Sequence, residues 1–150
     1  GMGALPGNVD EKFCPFMLPL EDKLYELIGV SESRKAVDNK IVSAIPINYL
    51  RGASINDQIL IADESQNFSE KELITLITRI GKNSKMFICG DPMQSDISGK
   101  SGFNKIKNIF NDDDSVLQGI HTFEFNYKDI KRSEILKYII KKIENNEQQT

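Results

Sequence analysis

Asp63 and Glu64 stand side by side at the end of an apolar run, Ile59-Leu60-Ile61-Ala62, with Ser65-Gln66-Asn67 directly behind them. Two adjacent carboxylates at the end of a buried strand suit phosphoryl chemistry. The first can hold a magnesium ion, usually through water, and the second can orient an attacking water. The same pair, lying just ahead of the helix signal Ser69-Glu70-Lys71-Glu72, also suits plain capping and complementation of a helix dipole. A second acid follows a second apolar run: Lys85-Met86-Phe87-Ile88-Cys89-Gly90 leads into Asp91, with Gln94 three positions on. Gly90 lets the chain turn, Asp91 can accept from nearby backbone or water, and Gln94 can donate to a terminal phosphate or a water. Two acid-ended strands in this order favour a nucleotide site over capping, because parallel sheets bind ligands beyond the carboxyl ends of their strands.

Such a site also needs a glycine-rich loop whose backbone N–H groups cradle phosphates and whose lysine reaches the terminal ones. Gly99-Lys100-Ser101 carries the end of that pattern, but the position of its first glycine is held by Gln94, so it reads as a decoy. His121 is the sole histidine and sits inside a strand signal, which predicts a structural role. Cys14 and Cys89 have no His or Cys partners at metal-ligand spacing and read as reduced, partly buried thiols.

The elements that would position these residues follow from period and punctuation. Pro6-Gly7, Pro15 and Pro19 predict a loop-rich lead-in over 1–19. Leu20, Leu24, Leu27 and Ile28 have helical spacing, stopped by Gly29, and a second, more polar helix is expected over 31–39. Residues 41–45 read as a strand ending at Pro46. After the first acids, Leu73, Ile74, Ile77 and Ile80 form one stripe on a helix that Gly81 ends. Ser101 caps a helix through Phe103, Ile106 and Phe110, and Asp112-Asp113-Asp114 solvates the turn behind it. Residues 119–125 read as a last strand, and Asp129 opens a final helix before a frayed tail over 145–150. Alternation of strands and helices predicts an α/β fold, a parallel sheet with helices on both faces in three layers.

Composition bounds the class. A chain of 150 residues predicts a single domain, and 39% hydrophobic with 27% charged residues excludes disorder. No apolar run is long enough for a membrane span, so no membrane partner is expected, and two cysteines read as reduced thiols lead to the expectation of a cytoplasmic location. A formal charge of -3 argues against a strongly electrostatic nucleic-acid binder. Gly1 ahead of Met2 has the look of a cleaved-tag remnant.

From about Leu5 onward the chain resembles the C-terminal half of the PhoH-family ATPases, relatives of the superfamily-1 helicase core. The resemblance rests on Leu-Pro-Gly-Asn-Val-Asp-Glu-Lys (5–12), Pro-Leu-Glu-Asp-Lys-Leu-Tyr (19–25), Asn-Tyr-Leu-Arg-Gly (48–52) and Ile-Ala-Asp-Glu-Ser-Gln-Asn (61–67). It continues through Leu-Ile-Thr-Arg-Ile-Gly (76–81), Ser-Lys-Met (84–86), Gly-Asp-x-x-Gln-x-Asp (90–96), Lys-Ser-Gly (100–102) and Asp-Ile-Lys-Arg-Ser (129–133). It implies a partial P-loop, RecA-like fold over 20–144 that carries the Walker B and sensor motifs but lacks the phosphate loop, which in the family precedes the Leu-Pro-Gly segment. By the same resemblance Asp63 holds magnesium, Glu64 activates water, and Asp91 with Gln94 senses the terminal phosphate. Arg132 is then the finger-type arginine, acting across a subunit interface if the longer protein forms a ring, with Arg51 and Arg79 as lesser candidates. The family commonly has Ala where Ser65 stands, a small departure. ATP and Mg2+ are the implied ligands. Two rival readings stay open: an RNA helicase or RNA-processing motor, and a non-catalytic relic that acts as a binding module. Without the phosphate loop, the 150 residues alone are expected to bind ATP poorly.

Overall fold

The computed structural model describes residues 9–50, 52, 54–94, 101–126, 129 and 133–147, and gives the backbone alone at 9–17, 19 and 143–147. The fold is α/β, with a small parallel sheet and helices. In chain order the elements are α1 (Val9–Ile28), α2 (Val30–Asp38), β1 (Ile59–Ala62), α3 (Glu70–Ile77), β2 (Lys85–Ile88), α4 (Phe103–Ile109), α5 (Asp113–Leu117) and α6 (Glu134–Glu147). Short 3-10 turns at Ile47–Leu50, Ser65–Asn67 and Pro92–Gln94 lie between them. The chain divides into two compact units, one of residues 1–62 and 74–88, the other of residues 63–73 and 89–150.

In the first unit β1 and β2 pair in parallel, with Ile59 opposite Lys85 and Ala62 opposite Ile88. Short runs of β-branched and apolar residues make these strands, and the parallel register brings their carboxyl ends side by side. The two chains are also zipped ahead of the strands. Ile55 N–H donates to Arg79 O, Gly81 N–H donates to Ile55 O, and the Ser84 hydroxyl donates to Ile55 O at 2.9 Å. A Cβ on Gly81 would collide with Asn56 Oδ1, so this close approach requires glycine. Among the described residues Leu50, Ile55, Ala62 and Leu76 are buried apolar residues here, with Ala36 and Ser33 buried on α2. Gly29, at φ +79°, turns the chain between α1 and α2 as its position predicts.

The second unit buries Leu73 and Ile106 together with two polar residues, Ser65 and Gln66. Its α4 packs against the 3-10 turn at Ser65–Asn67. There Gly102 N–H donates to Phe68 O, and a Cβ on Gly102 would collide with Glu70 Cα. Gly102 itself is the N-cap of α4, while the Ser101 hydroxyl accepts from Phe103 N–H at 3.3 Å. Asp112 does more than solvate a turn. Its carboxylate caps α5 by accepting from Ser115 N–H at 2.7 Å.

Four expectations are corrected. The helix α1 begins at Val9 and runs through Pro15 and Pro19. Proline already carries a helix-compatible φ, so a helix can absorb it by giving up one hydrogen bond. Residues 41–45 form no strand; Ile41 and Val42 N–H groups instead turn back to Ala36 O at the end of α2. Residues 119–125 are irregular, with Phe123 and Phe125 exposed. A strand-type run becomes a strand only where a neighbour offers an edge, and the sheet of the described residues has two strands, β1 and β2. Finally, α6 starts at Glu134 rather than at Asp129. No helix among the described residues is long and apolar enough to cross a membrane.

Candidate functional site

The parallel register places Ala62 beside Ile88, so the residues that leave β1 and β2 start from the same edge of the sheet. Directly after β1, Asp63 turns its Oδ1 back to accept from Glu64 N–H at 3.0 Å. Glu64 then adopts φ 52°, ψ 34°, the left-handed region that residues other than glycine rarely enter. Such a backbone costs on the order of 1–3 kcal/mol and persists only where its surroundings hold it. The holding contacts are visible. Glu64 O accepts from Asn67 N–H at 3.0 Å, and Ser65 N–H donates to Cys89 O at 2.8 Å, which ties this loop to the one after β2.

Gln66 makes the second tie, through its side chain. It is 1% exposed, its Nε2 donates to Glu64 Oε2 at 2.6 Å, and its Oε1 accepts from Asp91 N–H at 3.1 Å. One buried amide thus joins the carboxylate of the first acid loop to the backbone of the second. In that second loop, Asp91 Oδ1 accepts from Met93 N–H at 2.9 Å and Asp91 Oδ2 from Gln94 Nε2 at 2.8 Å. The Gly-Asp-x-x-Gln spacing therefore closes on itself as a 3-10 turn, with Gln94 exposed and oriented by Asp91. Gly90 is required by proximity: a Cβ there would lie 2.8 Å from Gln66 Oε1 and 2.9 Å from Gln66 N.

Helix capping does not account for Asp63 and Glu64. The α3 N-terminus has its own capping box, in which Ser69 Oγ donates to Glu72 Oε2 at 2.7 Å, and Glu72 Oε2 also accepts from Ser69 N–H at 2.9 Å. Electrostatics mark the pair differently. Partial shielding of the sulfur and then the Asp63 carboxylate push the Cys89 thiol above its ordinary pKa. Contrary to expectation the Cys89 residue lies at the surface, and the side chain of Cys14 lies outside those described.

Of the seven residues singled out from the sequence, Asp63, Glu64, Asp91 and Gln94 fall in one unit, in the two loops just described. Arg79 belongs to the other unit, at the end of α3, where Nη2 donates to Thr78 Oγ1 at 3.2 Å and Nε is buried without a partner among the described residues. Arg51 and Arg132 lie outside the described residues, as does the Gly99-Lys100 part of the decoy loop. His121 is exposed in an irregular segment, its ring tilted at 33° to Phe123. Sequence reasoning assigned no role to Gln66. Nothing in the residues beyond an amide two positions after the acid pair marked it.

Among the described residues no group of three His, Cys, Asp or Glu side chains converges to hold a metal ion unaided.

Comparison with known proteins agrees over nearly the whole length. The family model described as PhoH-like protein matches residues 1–144. A PhoH-like protein of Bacillus subtilis (strain 168) is 32% identical over 141 residues, covering 93% of this chain and 43% of the relative. A PhoH-like protein of Synechocystis (strain PCC 6803) is 31% identical over 148 residues, covering 97% of this chain and 44% of the relative. Protein PhoH of Escherichia coli (strain K12) is 31% identical over 119 residues, covering 77% and 34%. The chain thus spans less than half the length of these relatives. With a family model matched over residues 1–144, the chain belongs to the PhoH-like protein family.

Proposed function

We infer that this chain carries the acid and sensor part of a PhoH-like nucleoside-triphosphate hydrolase, with ATP as substrate and Mg2+ as its ion. The observation that carries the reading is the hydrogen-bonded meeting of two acid loops from neighbouring parallel strands, Asp63-Glu64 and Asp91-x-x-Gln94, through Gln66. In that reading Asp63 holds the ion. Bound Mg2+ supplies charge neutralisation on the phosphates. Glu64 orients the attacking water and accepts its proton, and Gln94, aimed by Asp91, donates to the terminal phosphate. Arg132 neutralises charge developing in the transition state, across a subunit interface in a ring. Arg51 and Arg79 are lesser cationic candidates.

The sheet in this reading belongs to a three-layer, RecA-like P-loop fold, and the phosphate loop comes from sequence outside these 150 residues. RNA enters as a stimulating partner if the motor works on nucleic acid. The test is steady-state ATP hydrolysis and calorimetric ATP binding, by this chain and by the protein in its natural length. Turnover in the natural-length protein that falls at least about 100-fold in Glu64→Gln supports the reading. Turnover untouched by that substitution refutes it, and Glu64-dependent turnover by the 150 residues alone refutes the external phosphate loop. Stimulation by added RNA would assign the helicase-type branch.

A further inference from the structure

Gln66 is a fully buried polar residue whose side chain bonds both acid loops, and the reaction scheme above does not use it. Its two amide atoms do different jobs: Nε2 donates to the Glu64 carboxylate at 2.6 Å, while Oε1 receives Asp91 N–H at 3.1 Å. The backbone on both sides leaves it little freedom. Ser65 N–H is fixed to Cys89 O, and Gly90 is packed so closely that a methyl there would meet Gln66 Oε1 and Gln66 N. Glu64, with a left-handed backbone and an otherwise free-swinging side chain of three torsions, needs an anchor if its carboxylate is to keep one position.

We propose that Gln66 is the positioning residue of this site: its amide fixes the Glu64 carboxylate relative to the Asp91–Gln94 turn, so that the water-orienting acid and the phosphate-sensing amide keep one spacing. This rests on the hydrolase reading above. In this role Gln66 acts through the groups it holds rather than on the substrate, and misplacement of a reacting group by about 1 Å is worth on the order of 100-fold in rate. The inference also explains why an amide stands there. A carboxylate would repel Glu64, an ammonium would offer nothing to Asp91 N–H, and an apolar side chain would bond neither group.

Two substitutions separate the two bonds. Gln66→Met keeps the length and bulk and removes both; Gln66→Glu keeps an acceptor for Asp91 N–H and turns the donor toward Glu64 into a like charge. Both are measured in the natural-length protein, by amide hydrogen exchange at Asp91 and by kcat and KM for ATP with Mg2+. The expected result for Gln66→Met is faster exchange at Asp91 by at least about tenfold, with kcat down about 10- to 100-fold and KM within about threefold. For Gln66→Glu, kcat falls similarly while Asp91 stays protected. A purely structural Gln66 would instead lower the melting temperature and leave the kcat of the folded fraction unchanged. That outcome overturns the proposal, as does an unchanged Asp91 exchange rate in Gln66→Met. If Gln66→Glu fails to fold, the Met variant alone decides. Should exchange change as expected while the wild-type natural-length protein hydrolyses no nucleotide, the hydrogen-bonded tie stands, the hydrolase reading fails, and the positioning role falls with it.

Discussion

Gly90→Ala is the sharpest single perturbation of the paired loops, because its effect follows from distances alone. Gly90 does not occupy the left-handed region, so alanine meets no backbone penalty there and the consequence is purely steric. The added Cβ would lie 2.8 Å from Gln66 Oε1, 2.9 Å from Gln66 N and 3.1 Å from Phe103 Cε2. The first contact can be relieved by swinging the Gln66 amide away, but that breaks its bonds to Glu64 and to Asp91 N–H. The second cannot, since Gln66 N belongs to a 3-10 turn tied to Cys89 O. Overpacking of this kind costs about 1–3 kcal/mol. For a chain of this size that lowers Tm by roughly 3–10 °C, read by circular dichroism melts with urea titration as a check. Amide exchange at Asp91 should accelerate in the same variant. Pairing it with Gln66→Ala removes the Oε1 contact and leaves the Gln66 N contact, so the double variant should be less destabilised than the sum of the two singles. A Gly90→Ala protein within about 0.5 kcal/mol of wild type, with Asp91 still protected, would refute the close packing on which the site is built.

Three other outcomes follow from the structure. Ser69→Ala removes the hydroxyl bonded to Glu72 in the α3 capping box and should lower stability by about 1 kcal/mol in a urea titration, and no change would remove the box as α3's cap. Asp63→Asn should speed alkylation of Cys89 by iodoacetamide about twofold at neutral pH, the size of a screened charge interaction; the Asp63 carboxylate raises the thiol pKa, so its removal leaves more thiolate. Lys107→Met should return the Glu124 carboxyl, which the Lys107 hydrogen bond and then its charge hold below the usual 4.5, toward that value in a carbon-13 NMR titration. Because that pKa is lowered on folding, its contribution to stability is present above the unfolded value and is lost as pH falls through the folded one, so it disappears only in acid.

What could be read from the residues divides along physical lines. Local signals carried α2, α3 with its Ser69–Glu72 box, α4, Gly29, and both strands that end in acids, since caps, glycines and short apolar runs act within a few residues. Strand-type runs at 41–45 and 119–125 misled because strand formation depends on a neighbour that no run of residues encodes by itself. Helix phase failed in part as well. The predicted stripe on α3 was Leu73, Ile74, Ile77 and Ile80; Leu73 is buried as expected, but so is Leu76, while Ile74 and Ile80 are about half exposed. Leu73, Ile74, Leu76 and Ile77 lie close together on that helix, so periodicity allowed more than one face and packing chose one. Gln66 was illegible for the same reason as the misread strands: its role exists only once β1 and β2 pair in parallel and bring Asp91 N–H within reach.

Between capping and chemistry, the two meanings open to Asp63-Glu64 from sequence, the geometry supplies a physical separation. A capping acid should bond the first N–H groups of its helix, but Ser69 and Glu72 serve α3, and Asp63 is turned to Glu64 N–H within its own loop. Glu64 takes a costly left-handed backbone and makes no side-chain cap bond at all. The Glu64 carboxylate is held by a buried amide, anchored in turn by the neighbouring acid loop. The two loops are therefore one mechanical unit, and a change to Gly90, Gln66 or Asp91 should be read at Glu64 before it is read anywhere else.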